Sequence, residues 1–163
     1  MTWTFFNDDR AACMYPLGSA HQNGALRAGA LTIKELWDGR AMEYITRTEQ
    51  VTVRKVQNAI SKGAFNDRWL PSTTAFSIIA DLPEGVDLHH EETVLFRWTS
   101  SETALSNSPQ SLNEADLITA PHDLFTRAGE WIDEQAAQVS RLWNAQNATQ
   151  ITLPGHVTVI GPL

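Results

Sequence analysis

The sequence predicts an α/β domain, and two observations carry that reading. Short β-branched and aromatic runs, Trp3–Phe6 and Thr93–Trp98, alternate along the chain with stretches whose apolar residues recur at helical spacing, most clearly Leu124–Trp143. Size and composition agree with one packed core: 163 residues, of which 42% are hydrophobic and 19% charged. One domain is therefore expected over residues 1–150, with residues 151–163 as a separate terminal segment.

Trp3–Phe6 reads as an opening strand that ends at Asn7, Asp8 and Asp9, so two carboxylates stand at a strand end. Pro16, Gly18, Gly24 and Gly29 then interrupt any periodicity, which marks a long loop. Thr32 precedes a helix as its N-cap, Glu35 completes a capping box, and Gly39 offers a stop. Between Met42 and Val56 the spacing of Tyr44, Thr46, Val51, Val53 and Val56 favours a strand, although Val56–Ile60 can also begin a helix that stops at Gly63. Gly63–Pro71 reads as a loop.

The segment after Pro71 has Ser72, Thr73 and Thr74 in front and Leu82-Pro83 behind, which bounds a two-turn helix. Thr93–Trp98 is the next strand, and Thr99–Asp116, rich in Ser, Thr and Asn, is an exposed excursion. From Leu124 to Trp143 one apolar face persists, with a break expected near Gly129, where glycine costs a helix about 1 kcal/mol against alanine.

Charge and motifs exclude several classes of function. Lys+Arg total 12 against Asp+Glu 19, a net charge of -7, and no basic stripe with interleaved aromatics exists, so no nucleic-acid partner is expected. No apolar run reaches the ~18 residues of a membrane span, and none is expected. Cys13 is the one cysteine, which rules out an internal disulfide and reads as a small core residue. With acidic residues where a signal peptide would be apolar, the reading is cytoplasmic. His89-His90-Glu91-Glu92 is the densest run of metal-ligand types, yet adjacent residues of a strand face opposite ways, and a solvated turn is favoured. Ser19 and His21 lack the elbow of a hydrolase.

Three blocks in order carry a resemblance. Tyr15-Pro16-Leu17 followed by Leu26-Arg27-Ala28-Gly29-Ala30-Leu31-Thr32-Ile33-Lys34-Glu35, then Phe65–Pro71, then Pro121–Phe125 with Gly129, are similar to the GlmU-like sugar nucleotidyltransferases. Departures are local. Gly18–Asn23 stands where that family carries an Arg-Pro motif, His122 and Ala128 replace its Trp and Asn, and no Gly-rich phosphate loop follows Phe6.

The resemblance implies a layered, Rossmann-like nucleotidyltransferase sandwich with a mixed sheet, reduced in size. It implies uridylyl transfer from a nucleoside triphosphate to a hexosamine sugar 1-phosphate with Mg²⁺; the alternative is a catalytically inactive binding or assembly module for a hexapeptide-repeat acyltransferase. On this reading Arg27 and Arg68 clamp phosphate, Asn66, Lys34 and Asp123 bind substrate, and Asp8 and Asp9 hold the metal. Five of them have a plainer reading: a polar turn for Asp8 and Asp9, a tied-down loop for the arginines and a solvated helix face for Lys34. His156–Leu163 resembles the first coil of a left-handed β-helix, which would follow this domain and impose a homotrimer, or else is a last strand.

Overall fold

A computed structural model describes residues 1–8, 25–99 and 108–145. The expectations for Asp9, Cys13, Gly18–Asn23 and residues 151–163 fall outside the described residues. Five strands form one mixed sheet, in which β1 (Phe5–Phe6) lies parallel to β4 (Gly63–Asn66) and β4 lies antiparallel to β6 (Thr93–Trp98). Beyond β6, β5 (Leu88–His90) pairs antiparallel with it, and β7 (Gln110–Ser111) closes the far edge parallel to β5. A separate hairpin joins β2 (Arg27–Ala28) to β3 (Leu31–Thr32). This is the mixed-sheet α/β fold expected from the sequence.

Residues 63–66 correct the loop expected there. All four are buried, because β4 sits between β1 and β6, with Phe5 opposite Phe65 on one side and Phe96 opposite Phe65 on the other. Four residues are too few to show a period, so only their neighbours make them a strand. Gly63 is required where it stands, since a Cβ would run into the Phe96 ring and the Ala59 carbonyl oxygen.

Thr32 caps α1 (Ile33–Arg47): its hydroxyl accepts from the Glu35 amide, while the Glu35 carboxylate accepts from the Thr32 amide at 2.8 Å. The capping box is therefore present. Gly39 does not stop this helix, and the strand favoured over Met42–Val56 is instead the end of α1 and the start of α2 (Gln50–Lys62). Packing decides this: Val56, Ala59 and Ile60 bury the i, i+3, i+4 face of a helix, while Val51 stays 68% exposed. Gly63 ends α2, as expected. Ser72 caps α3 (Thr73–Asp81) by accepting from the Ala75 amide.

Aromatic rings join the helices to the sheet. Trp37 of α1 lies 4.8 Å from Phe65, 4.9 Å from Trp69, 5.4 Å from Phe76 and 5.5 Å from Trp3, ring centre to ring centre, largely in tilted and edge-on arrangements. Its indole N–H donates to the Trp69 carbonyl at 3.0 Å.

The expected break in the last helical pattern falls at Arg127, between α4 (Asp123–Thr126) and α5 (Ala128–Ala145). The longer helix docks through a neutral amide. Gln135, 5% exposed, donates to the Ala28 carbonyl at 2.6 Å and accepts from the Ala30 and Leu31 amides at 2.9 and 3.2 Å. Gly29 turns the hairpin at φ 73°, where a Cβ would meet Gln135 and Trp131 at about 3.0 Å. Gly39 admits Gln138, which donates to the Glu35 carbonyl at 2.8 Å. Among the described residues no helix is long and apolar enough to cross a membrane.

Candidate functional site

Parallel pairing sends the carboxyl ends of β1 and β4 to the same edge of the sheet, and the antiparallel β6 brings Thr93 and Val94 there too. In open α/β sheets, ligands gather at such carboxyl edges. Asn66 ends β4, and Asn66–Trp69 form a turn fixed twice: the Trp69 amide donates to the Asn66 carbonyl at 3.1 Å, and the Arg68 amide donates to Asn66 Oδ1 at 3.0 Å. Fully buried, Asn66 also donates through Nδ2 to the Val94 carbonyl at 2.8 Å and to Asp8 Oδ2 at 2.9 Å. Its amide is thereby satisfied on both ends.

Arg68 follows in the turn and folds back into the protein. Its Nη1 donates to the Ile118 carbonyl at 3.1 Å and its Nη2 to Asp8 Oδ2, in an ion pair whose side chains are 4% and 13% exposed. The guanidinium thus ties β1, β4 and the segment before α4 together. Its Nε–H is buried without a partner among the described residues. Such a pair repays its desolvation only with good geometry, and losing one member leaves a charge stranded.

Asp67 stands between these two residues. Its amide donates to the Phe6 carbonyl at 3.1 Å, and its carboxyl group lies against the side-chain amide of Asn7, the NH₂ of which faces it. Burial raises its pKa to about 6; the Arg68 charge works against this rise and the Asp8 charge adds to it. Sequence reasoning passed over Asp67, although it sits between two residues that were singled out.

The structure gathers three of the expected residues, Asp8, Asn66 and Arg68, from positions 58 and 60 apart in sequence. Arg27, Lys34 and Asp123 are engaged locally, and none has a hydrogen bond to that cluster. Exposed Arg27 donates to the Ala30 carbonyl at 2.7 Å within its own hairpin, and Lys34 pairs with Asp38 one turn on at 2.9 Å. Asp123 closes the turn into α4, accepting from the Thr119 amide and hydroxyl, both at 2.8 Å, and from the Ala120 amide at 3.0 Å. Burial works to raise its pKa, but those Thr119 and Ala120 hydrogen bonds together with His122 hold it below the ordinary value.

As for a metal, no three His, Cys, Asp or Glu side chains converge among the described residues. The solvated turn expected over His89–Glu92 holds for Glu91 and Glu92 only: His89 and His90 lie half-buried in β5, where pairing with β6 and β7 makes them strand, and His90 Nδ1 meets the Leu112 carbonyl at 3.0 Å. Asp8 Oδ2 already accepts from Arg68 and Asn66.

The family model described as sugar nucleotidyl transferase matches residues 3–141. The chain belongs to the sugar nucleotidyl transferase family. Comparison with curated proteins and with solved structures finds no match. The matched span of this sugar nucleotidyl transferase domain takes in the Asp8–Asn66–Arg68 cluster, the β2–β3 hairpin and most of α5.

Proposed function

We propose that this domain transfers a nucleotidyl group from a nucleoside triphosphate to a sugar 1-phosphate at the carboxyl edge of β1 and β4. The observation that carries the reading is the meeting of Asp8, Asn66 and Arg68 at that edge, within a chain of this family. A phosphate oxygen of the sugar 1-phosphate bonds to the α-phosphorus, the α–β anhydride bond breaks, and pyrophosphate leaves with the electron pair. Little covalent work falls to the protein, so alignment and neutralisation of anionic oxygens supply the catalysis. The order of the blocks favours the GlmU-like case, uridylyl transfer to a hexosamine 1-phosphate. Mg²⁺ would then come bound to the triphosphate, since it is commonly held by substrate phosphates plus one or two carboxylates.

Pyrophosphate release with UTP and N-acetylglucosamine 1-phosphate tests this directly. Turnover that needs both substrates supports it; no turnover, together with no thermal shift from any nucleoside triphosphate, defeats it. One observation favours a second reading, a binding or assembly module without turnover: the Arg68 guanidinium is closed off and committed to Asp8 and Ile118. Binding of either ligand without pyrophosphate release would select that reading.

A further inference from the structure

We infer that Asp67 reads a pair of hydroxyl groups on the bound substrate, while Asn66 and Arg68 act as positioning residues that hold its turn. The inference rests on the sugar nucleotidyltransfer reading and deepens it. Within the edge cluster, the amide of Asn66 is satisfied at both ends and the guanidinium of Arg68 is held by Ile118 and Asp8. Asp8 Oδ2 in turn receives both of them. Asp8 Oδ2, Asn66 and Arg68 thus hold one another.

Asp67 differs in what covers it. Its backbone is fixed to Phe6 and its place in the turn is set by the two Asn66 hydrogen bonds, yet its carboxyl group is covered by the side chain of exposed Asn7. A carboxylate has about four acceptor positions, and one side-chain amide together with the residue's own backbone N–H cannot fill them. An exposed amide is also readily displaced, because water replaces what it gives up. The chemistry that matches a rigidly placed carboxylate under a removable donor is a second pair of donors, and adjacent hydroxyls supply it. Both substrates of the proposed reaction carry such pairs, the ribose of the nucleotide and the ring of the sugar phosphate.

The experiment measures dissociation constants of the full chain by calorimetry for UTP, 2′-deoxy-UTP, N-acetylglucosamine 1-phosphate and its 4-deoxy analogue, in the wild type and in Asp67→Asn. The expected result is that one deoxy analogue binds the wild type about tenfold more weakly than its parent, the loss expected for a charge-assisted hydrogen bond. Asp67→Asn should bind that parent and its analogue alike. The analogue that shows the effect tells which ring is read. Equal losses in both proteins, or no discrimination by the wild type, would overturn the inference while parent binding keeps the proposed function alive. Absence of any parent binding defeats both.

A second measurement needs no variant. Discrimination by the wild type should grow as pH rises through about 6, as the Asp67 carboxyl ionises beside Arg68 and Asp8, the two charged groups that act on it. Phosphate titration is common to parent and analogue and cancels in their ratio. A ratio that stays flat from pH 5 to 7.5 would count against Asp67, whatever the variant does.

Discussion

The carboxyl edge of the sheet and the seam under α5 each contain one of the sequence blocks that resemble the family, and they use them differently. At the edge, Asn66 and Arg68 of the Phe65–Pro71 block turn inward to a carboxylate that follows the other strand of a parallel pair. Along the seam, the Leu26–Glu35 block presents backbone: Ala28, Ala30 and Leu31 bond Gln135, and Gly29 keeps the approach open. One region concentrates charge; the other joins neutral groups. A matched block therefore marks importance without saying whether the importance is chemical or architectural, and the hydrogen-bond partners separate the two.

Breaking the buried pair tests the edge most severely. Arg68→Ala should lower unfolding free energy by about 3–5 kcal/mol in urea titrations, because it breaks a buried ion pair and removes the guanidinium bond to Ile118. Pyrophosphate release should fall at least about tenfold where the protein still folds. A loss below about 1 kcal/mol would reduce the pair to an ordinary surface bridge. Gln135→Ala is the matching cut at the seam. It leaves a buried carbonyl and two amides unpaired and should cost about 2–3 kcal/mol, with activity per folded molecule unchanged. If activity falls with it, the seam belongs to the chemistry after all.

Gly29→Val should cost about 1–3 kcal/mol from a left-handed backbone alone, with crowding against Gln135 and Trp131 added, read as a lower melting temperature. Asp67→Asn should instead stabilise the fold near neutral pH. The raised pKa of about 6 means that the wild-type contribution is complete below the ordinary 3.8 and lost as pH rises through about 6. Urea midpoints at pH 4 and pH 7.5 should therefore show the gain only at the higher pH. The smallest effect belongs to Arg27→Ala, expected to change stability by no more than about 0.5 kcal/mol, because its guanidinium is exposed and bonds only within the hairpin described. A fall in turnover of tenfold or more would bring the hairpin into the site, as the sequence-based expectation for Arg27 holds.

Local signals were legible where a cap or an uninterrupted residue pattern carries them. The Thr32–Glu35 box, the Ser72 cap, the Thr93–Trp98 strand and the break before α5 were all expected and are all present. Signals failed where the deciding contacts are distant. Gly39 reads as a helix stop, yet α1 continues through it, and Gln138 packs there from a position far along the chain. The alternation from Tyr44 to Val56 looks like a strand, but the helical face completed by Ala59 and Ile60 overrides it.

The same division holds for the site. Asp8 and Asp9 were legible as a carboxylate pair at the end of an opening strand, whereas Asn66 and Arg68 stood out only through the resemblance of the Phe65–Pro71 block to the family. By itself the sequence determined the α/β class, the capped helix starts and the identity of these polar residues. Only the tertiary structure decided that Asp8 and Arg68 are partners, that Asp67 keeps a raised pKa beside Asn7, and that Gly63–Asn66 is a central strand. The physical reason is common to all three: each property belongs to the environment that neighbours supply through burial, and burial is fixed by segments about 60 residues away rather than by adjacent ones.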